Sequence, residues 1–411
     1  MNIVHIIGNG FDLNQGLPTS YAHFYEFYFQ LMPREESQTV KKIRELLVTK
    51  LYDKRTDRWA DLEKTLGEVA SDFDSEDEYA EAYLDVYTHL MEYLQGAYKH
   101  SELVKFETPE NTLYRDLAMP WKHLIPRDRA AIEQHLSSSS NEVHVKVINF
   151  NYTDTLERIS DLPDKVGKSL GRYDNRNTIY DGCLHVHHKL SNRDVILGVD
   201  NTSQIANDKF RNDERIQNYL IKPQTNTGIG NLEDRRCREL IKNAYVISIY
   251  GMSVGETDTT WWKEVGKRYK AEPGVRILYF PYVKDIGSVL PIQLPLRRAQ
   301  AVRELSAKIG VTYQEAKERI MVNFCNMPGE RNIFTNTKQK DTLDNFENTM
   351  AMFQEEGVVR KPQSKSLASP FHLDLMPPLQ EQEPLFESRI YRKRLSDLEN
   401  TAMGINGIIG K

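Results

Sequence analysis

Short β-branched runs, set apart by long stretches of helical spacing, pattern this chain. Ile3-Val4-His5-Ile6-Ile7 reads as a buried strand, and it meets Gly8-Asn9-Gly10 with no spacer. A helix is predicted to follow at Phe11-Asp12-Leu13, with Asp12 in its first turn. Further strands are predicted over 143–148, 183–190, 244–250 and 274–280, each with alternating or continuous β-branched and aromatic positions. Asp194 to Asp200 follows the strand over 183–190.

Between the first two strands the rhythm changes to 3.6. Tyr21, Phe24, Tyr25, Tyr28 and Leu31 fall on one helical face and read as core packing. Helical spacing recurs over 38–51, 58–73, 78–104 and 109–136. A single βα crossover does not need so many residues, so 21–140 is predicted to be a helical insertion lying over the first strand–loop–helix. Residues 160–182 read as a polar excursion, with turns at Gly167, Gly171 and Asp181-Gly182. Residues 200–244 read as polar and helical, with a loop at 224–230. A helical pair is predicted at 296–309 and 312–323. From Gly357 onward Pro, Ser, Gln and Lys dominate, which predicts a partly disordered tail with one short helix over 390–402. The fold class is therefore α/β, a Rossmann-like parallel sheet. Its core spans 1–20 and 141–325, and 326–411 is a C-terminal extension.

Composition narrows the function. Net charge is −5, from 54 basic and 59 acidic residues, so nucleic acid is not an expected partner. No apolar run reaches the roughly 20 residues of a membrane span, and the chain opens directly on a core strand. A cytoplasmic protein without a membrane partner is expected. Cys183, Cys237 and Cys325 are far apart and form neither a disulfide framework nor a four-cysteine zinc site.

The polar residues that carry chemistry stand where the strands end. In open α/β sheets ligands bind outside the carboxyl ends of strands. Gly8-Asn9-Gly10 is either an ordinary tight turn or a loop whose backbone approaches a phosphate. Asn151, in Asn149-Phe150-Asn151-Tyr152-Thr153-Asp154-Thr155-Leu156-Glu157, either caps the helix starting near Thr155 or presents its amide to a ligand and a water. His185 and His187 share a strand face by alternation. A histidine there serves as a general base, as a structural residue or, third in rank, as a metal ligand; no carboxylate is evident to complete a metal shell, and no metal is expected. Gly251-Met252-Ser253-Val254-Gly255 is a second glycine turn. It also spells the nucleophile elbow G-x-S-x-G, but the only later histidine is His372, in the tail. Glu63, after Trp59, reads as a solvated helix residue or as one facing the site.

Four of these patches, in order over roughly 3–285, resemble the AbiH family of bacterial abortive-infection proteins. They are GNGFDLNQGLPTSY from Gly8, FNYTDTLE from Phe150, HVHHKL from His185, and YGMSVGETD from Tyr250; Trp59 to Glu63 resembles a further W-x-x-x-E patch. More distantly they resemble sirtuin-like (SIR2-like) NAD-binding proteins, whose zinc-binding cysteines are absent here. The resemblance implies antiphage defence, with NAD or a related nucleotide as ligand and hydrolysis of its N-glycosidic bond as the reaction. It places Asn151, His187 and Asp12 in catalysis. It places Gly8, Asn9, Gly10, Phe11, Thr19, Tyr152, Gly251, Ser253 and Asp258 around the nucleotide. The family pattern has Gly where this chain has His188. The competing expectation is a sensor that binds a nucleotide or phage ligand without turnover. Expected partners are the nucleotide, a phage-derived trigger and a second copy of the chain.

Overall fold

The buried β-branched runs pair into a seven-stranded sheet. Its strands are β1 (Asn2–Ile7), β2 (Glu142–Asn149), β3 (Lys168–Tyr173), β4 (Arg176–His185), β5 (Val246–Tyr250), β6 (Arg276–Phe280) and β7 (Ile320–Val322). The order is β3-β4-β2-β1-β5-β6-β7. All neighbours are parallel except β3 and β4. In this computed structural model the described residues are 1–360 apart from 33–36, 54–61, 138–140, 193–194, 284–285, 329–331 and 337–340. Met1–Val359 form one compact unit.

The helices are α1 (Asn9–Asn14), α2 (Tyr21–Gln30), α3 (Gln38–Asp53), α4 (Leu62–Val69), α5 (Glu76–His100), α6 (Leu113–Ala118), α7 (Pro126–Leu136), α8 (Thr155–Arg158), α9 (Asp208–Arg211), α10 (Glu214–Leu220), α11 (Lys222–Gly228), α12 (Glu233–Lys242), α13 (Thr259–Ala271), α14 (Leu294–Ile309), α15 (Tyr313–Ala316) and α16 (Thr342–Glu355). Alternation along β1 divides the core. Ile3 and Ile7 pack with Leu117, Trp121 and Ile132 of the α6–α7 layer. Val4 and Ile6 pack with Ile241, Trp262 and Leu305 from α12, α13 and α14. A third cluster lies within the helices, where Phe24, Tyr25, Phe27 and Tyr28 of α2 meet Tyr93 of α5 and Phe353 of α16. Among the described residues, the chain between β1 and β2 contains helices and no named strand. None of the described helices is long and apolar enough to cross a membrane.

Several elements differ from expectation. The polar excursion holds a β-hairpin: β3 turns into β4 through Asp174 (φ 50°) and Asn175 (φ 63°), the pair of positive φ values that suits the twist of a two-residue hairpin loop. β4 consequently starts earlier than predicted and stops at His185. Beyond β4, Val199 makes an isolated parallel bridge to Ile221. The loop at 224–230 is mostly α11. The second helix of the 296–323 pair gives way to the short strand β7. α16 buries Phe346, Met350 and Phe353 against the α2–α5 core. The helix expected over 390–402 lies outside the described residues.

Gly96 of α5 makes room for Phe353, whose ring would lie 2.1 Å from a Cβ at that position. Phe353→Ala is expected to cost about 3–5 kcal/mol, read as a lower urea midpoint at unchanged slope. A loss under about 1 kcal/mol would remove α16 from the core.

Candidate functional site

Parallel register aligns the strand ends. Ile7 pairs with Asn149 and with Tyr250, Asn149 with His185, and Tyr250 with Phe280. From β1 the chain builds β2 and β4 on one side and β5, β6 and β7 on the other, so the topology switches beside β1. The polar segments after β1, β2, β4 and β5 therefore converge on one edge.

The two glycine turns interlock there. Gly8 N–H donates to Tyr250 O (2.9 Å), Gly10 N–H to Gly251 O (2.8 Å) and Phe11 N–H to Gly8 O (2.8 Å). A Cβ on Gly10 would lie 2.5 Å from Gly251 Cα, and one on Gly251 would lie 2.7 Å from Gly10 Cα. Gly251 is also left-handed, at φ 61°. These glycines let two turns touch through their backbones, and three of the amides are spent inside the protein. Asn9 and Thr19 tie the loop together: Thr19 Oγ1 donates to Asn9 Oδ1 (2.5 Å), and Asn9 Nδ2 to Thr19 O (3.3 Å). Phe11 is buried edge-on against Tyr250 and Phe334, a packing role. Ser253 is exposed in the loop after Gly251. Its φ is not positive, and α13 begins only at Thr259, so the strained strand-to-helix turn of a nucleophile elbow does not form. His372 lies outside the described residues.

One polar network centres on Asp12, which is 1% exposed. Thr153 Oγ1 donates to Asp12 Oδ2 (2.5 Å) and Asn151 Nδ2 to Asp12 Oδ1 (3.3 Å). Thr155 Oγ1 donates in turn to Thr153 Oγ1 (2.9 Å), and Asn149 Oδ1 accepts from Asn151 N–H (2.9 Å). Asp154, not Asn151, stands at the N-cap of α8. Burial pushes the Asp12 carboxyl up from 3.8 to about 7, against the pull of the threonine hydroxyls.

A second network lies one residue along. Lys222, 4% exposed, donates to Glu63 Oε2 (2.9 Å) and to Asp258 Oδ1 (2.8 Å). Tyr152 OH donates to Glu63 Oε1 (3.0 Å), and His187 Nε2 lies 3.4 Å from Asp258 Oδ1. Burial alone would raise Asp258; the Lys222 ammonium and His187 outweigh it and hold the carboxyl well below its usual range. Burial would lower Lys222; the two carboxylates outweigh that and raise it. The network ties α4 and α11 to the segments after β2, β4 and β5. Glu63 is thus 6% exposed rather than solvated. Trp59, its motif partner, lies outside the described residues.

The two histidines expected on one strand face part company. β4 ends at His185, which bonds Glu157 Oε1 (2.7 Å), while His187 turns to Asp258 and stacks edge-on to Phe150. His188 is left-handed at φ 58°, a conformation that favours glycine and is uncommon for other residues. Sequence reasoning assigned no role to Lys222 and only a place in the motif to Glu157. Neither position carries a local signal, because the partners lie 159 and 28 residues away.

A cleft of about 1000 Å³ opens elsewhere, lined by Lys64, Lys263, Lys267, Lys270 and Lys308 and by none of the strand-end residues above. It meets the second network only indirectly, through Lys64, which follows Glu63, and Glu256, its ion-pair partner (2.6 Å).

The family model described as "Bacteriophage abortive infection AbiH" matches residues 4–280, which include every strand-end residue above. No curated protein matches the chain.

The raised Asp12 value makes stability fall as pH rises between 3.8 and about 7, because the unfolded chain releases a proton there that the folded one keeps. His5, lowered by burial from 6.5 to about 4, slopes the other way through most of that window. Asp12→Asn removes only the falling slope. Relative to wild type, its unfolding free energy is expected to rise by up to roughly 1.4 kcal/mol per pH unit between pH 4 and 7. Urea unfolding at pH 5 and pH 7 checks this; a difference that does not change with pH contradicts it.

Proposed function

The chain belongs to the bacteriophage abortive infection family AbiH, and from that premise we propose that it acts in antiphage defence by binding NAD or a related nucleotide at the sheet's strand-end site and hydrolysing its N-glycosidic bond. The observation that carries this reading is Asp12: a buried carboxyl with a value near neutrality, held by Asn151 and Thr153 beside the topological switch. A general base works best when its pKa lies near the working pH. Asn151 can hold a water with its amide while remaining beside Asp12. That water attacks C1′ of the nicotinamide ribose and passes its proton to Asp12. The C1′–N bond breaks, and its electron pair leaves with nicotinamide. His187, fixed by Asp258, orients the ribose hydroxyls. Thr19, Tyr152, Gly251 and Ser253 stand on the segments around this edge.

A second reading, a sensor that binds without turnover, draws on a different observation. The Gly8 and Gly10 amides are already bonded to the β5 turn, and Lys222 joins the cap helix α4 to Asp258. A ligand at this edge must displace protein contacts, which couples binding to movement of the helices.

Purified full-length protein incubated with NAD, with and without lysate of phage-infected cells, is expected to release nicotinamide at a rate that rises with pH through about 7. Asn151→Ala and Asp12→Asn are each expected to lower the rate by about 100-fold or more while circular dichroism stays native. A raised melting temperature without release supports the sensor. Neither release nor a shift in melting overturns both readings.

A further inference from the structure

Beside the Asp12 network lies a cluster that the nucleotide chemistry does not use. Cys183 and His185 stand two residues apart on β4 and so share a face. The parallel pairing of β2 with β4 sets Val147 opposite Cys183 and Asn149 opposite His185. The chain leaves β2 at Asn149 and enters α8, which carries Glu157 over that face. A Glu157 carboxylate oxygen, the Cys183 sulfur and a His185 ring nitrogen all lie within 4.8 Å of one another. Among the described residues this is the one such group of three. Metal–ligand bonds of about 2.0–2.3 Å in tetrahedral array need only a small contraction from there.

Hydrogen bonding inside the cluster is incomplete. His185 Nε2 meets Glu157 Oε1 at 2.7 Å and the Cys183 thiol hydrogen-bonds to the Glu157 carboxylate, but His185 Nδ1 is buried with no hydrogen-bond partner. The three side chains already converge, and a buried imidazole nitrogen without a partner is costly.

We propose that Glu157, Cys183 and His185 form a binding site for a zinc-class divalent transition-metal ion. A thiolate, a carboxylate and a neutral imidazole balance a 2+ charge, so the occupied site is neutral in its buried setting. Thiolate and imidazole favour zinc or cobalt over magnesium or calcium, which take oxygen ligands. Binding releases the thiol proton, and as the ion replaces the Nε2–H···Oε1 hydrogen bond the imidazole proton moves from Nε2 to Nδ1, so the ring stays neutral. Three protein ligands leave a fourth position for water, as in open zinc sites. Lys189, which acts electrostatically on both Glu157 and Cys183, opposes the ion and tempers its affinity.

Cobalt(II) titration of metal-stripped full-length protein tests this. The expected signature is a near-ultraviolet thiolate-to-cobalt charge-transfer band with visible bands of tetrahedral intensity, at one equivalent, reversed by zinc. Cys183→Ser is expected to remove the charge-transfer band, whereas Cys325→Ser, buried elsewhere, keeps it. His185→Ala and Glu157→Gln are each expected to weaken zinc binding by more than about 100-fold, beyond the loss typical of an outer-shell partner. Absence of the thiolate band in the wild-type protein overturns the proposal without recourse to any variant. So does a band that survives Cys183→Ser, or zinc affinity unchanged across the three ligand variants.

Discussion

Gly10 and Gly251 touch backbone to backbone, and the architecture of the strand-end edge depends on that contact. It requires β1 and β5 to be neighbours in register, with Ile7 opposite Tyr250. It requires residues without Cβ at both turns, one of them left-handed. Once the turns interlock, α1 leaves β1 in a fixed direction. Asp12 then falls under the segment after β2, within reach of Asn151 and Thr153. The glycines thus act as packing devices as much as ligand loops. Their amides are spent inside the protein, that of Gly10 on Gly251 O and that of Gly251 on Phe280 O.

The second constraint is charge. Lys222 is an ammonium buried between two carboxylates, and removing any one member strands the others. Such a cluster is a poor way to gain stability compared with apolar packing. It does specify position: α4 of the inserted helices, α11, and the segments after β2, β4 and β5 meet at one place. The consequence for function is coupling. Displacing Lys222 from Glu63 or Asp258 removes the ion pairs that tie α4 and α11 to Asp258, the carboxylate that His187 also faces. Asn151 and Tyr152, adjacent in sequence, serve the Asp12 and Lys222 networks respectively, so a change at either is felt by both.

Legibility followed burial. The central strands were plain in the sequence because parallel strands buried on both faces are almost wholly apolar: Ile3 to Ile7, interrupted only by His5, and Val246 to Tyr250, interrupted only by Ser248. Edge strands were not. β3 is mostly polar, and β7 is three residues long. Asp174-Asn175 was the one local sign of the hairpin, and it reads as a turn only once positive φ is allowed for both residues. α16 carried its signal in Phe346, Met350 and Phe353 at helical spacing, just ahead of the polar stretch that begins at Gly357. At the site, the motif segments marked where polar residues gather but not which would pair. Glu63, Glu157 and Lys222 find partners only through strand order and the return of remote helices. His188 adopts a left-handed backbone at φ 58°, which nothing in its local sequence announces.

The account's central claim is that the nucleotide meets the protein at the strand-end edge and not in the lysine-lined cleft. Hydrogen-exchange mass spectrometry of the full-length protein with and without NAD tests it most directly. The account predicts slower exchange in peptides covering 8–19, 149–157 and 251–258, together with altered exchange in α4 as the Lys222 contacts adjust. Protection confined to peptides around Lys263 and Lys308, or no change anywhere at saturating NAD, contradicts it.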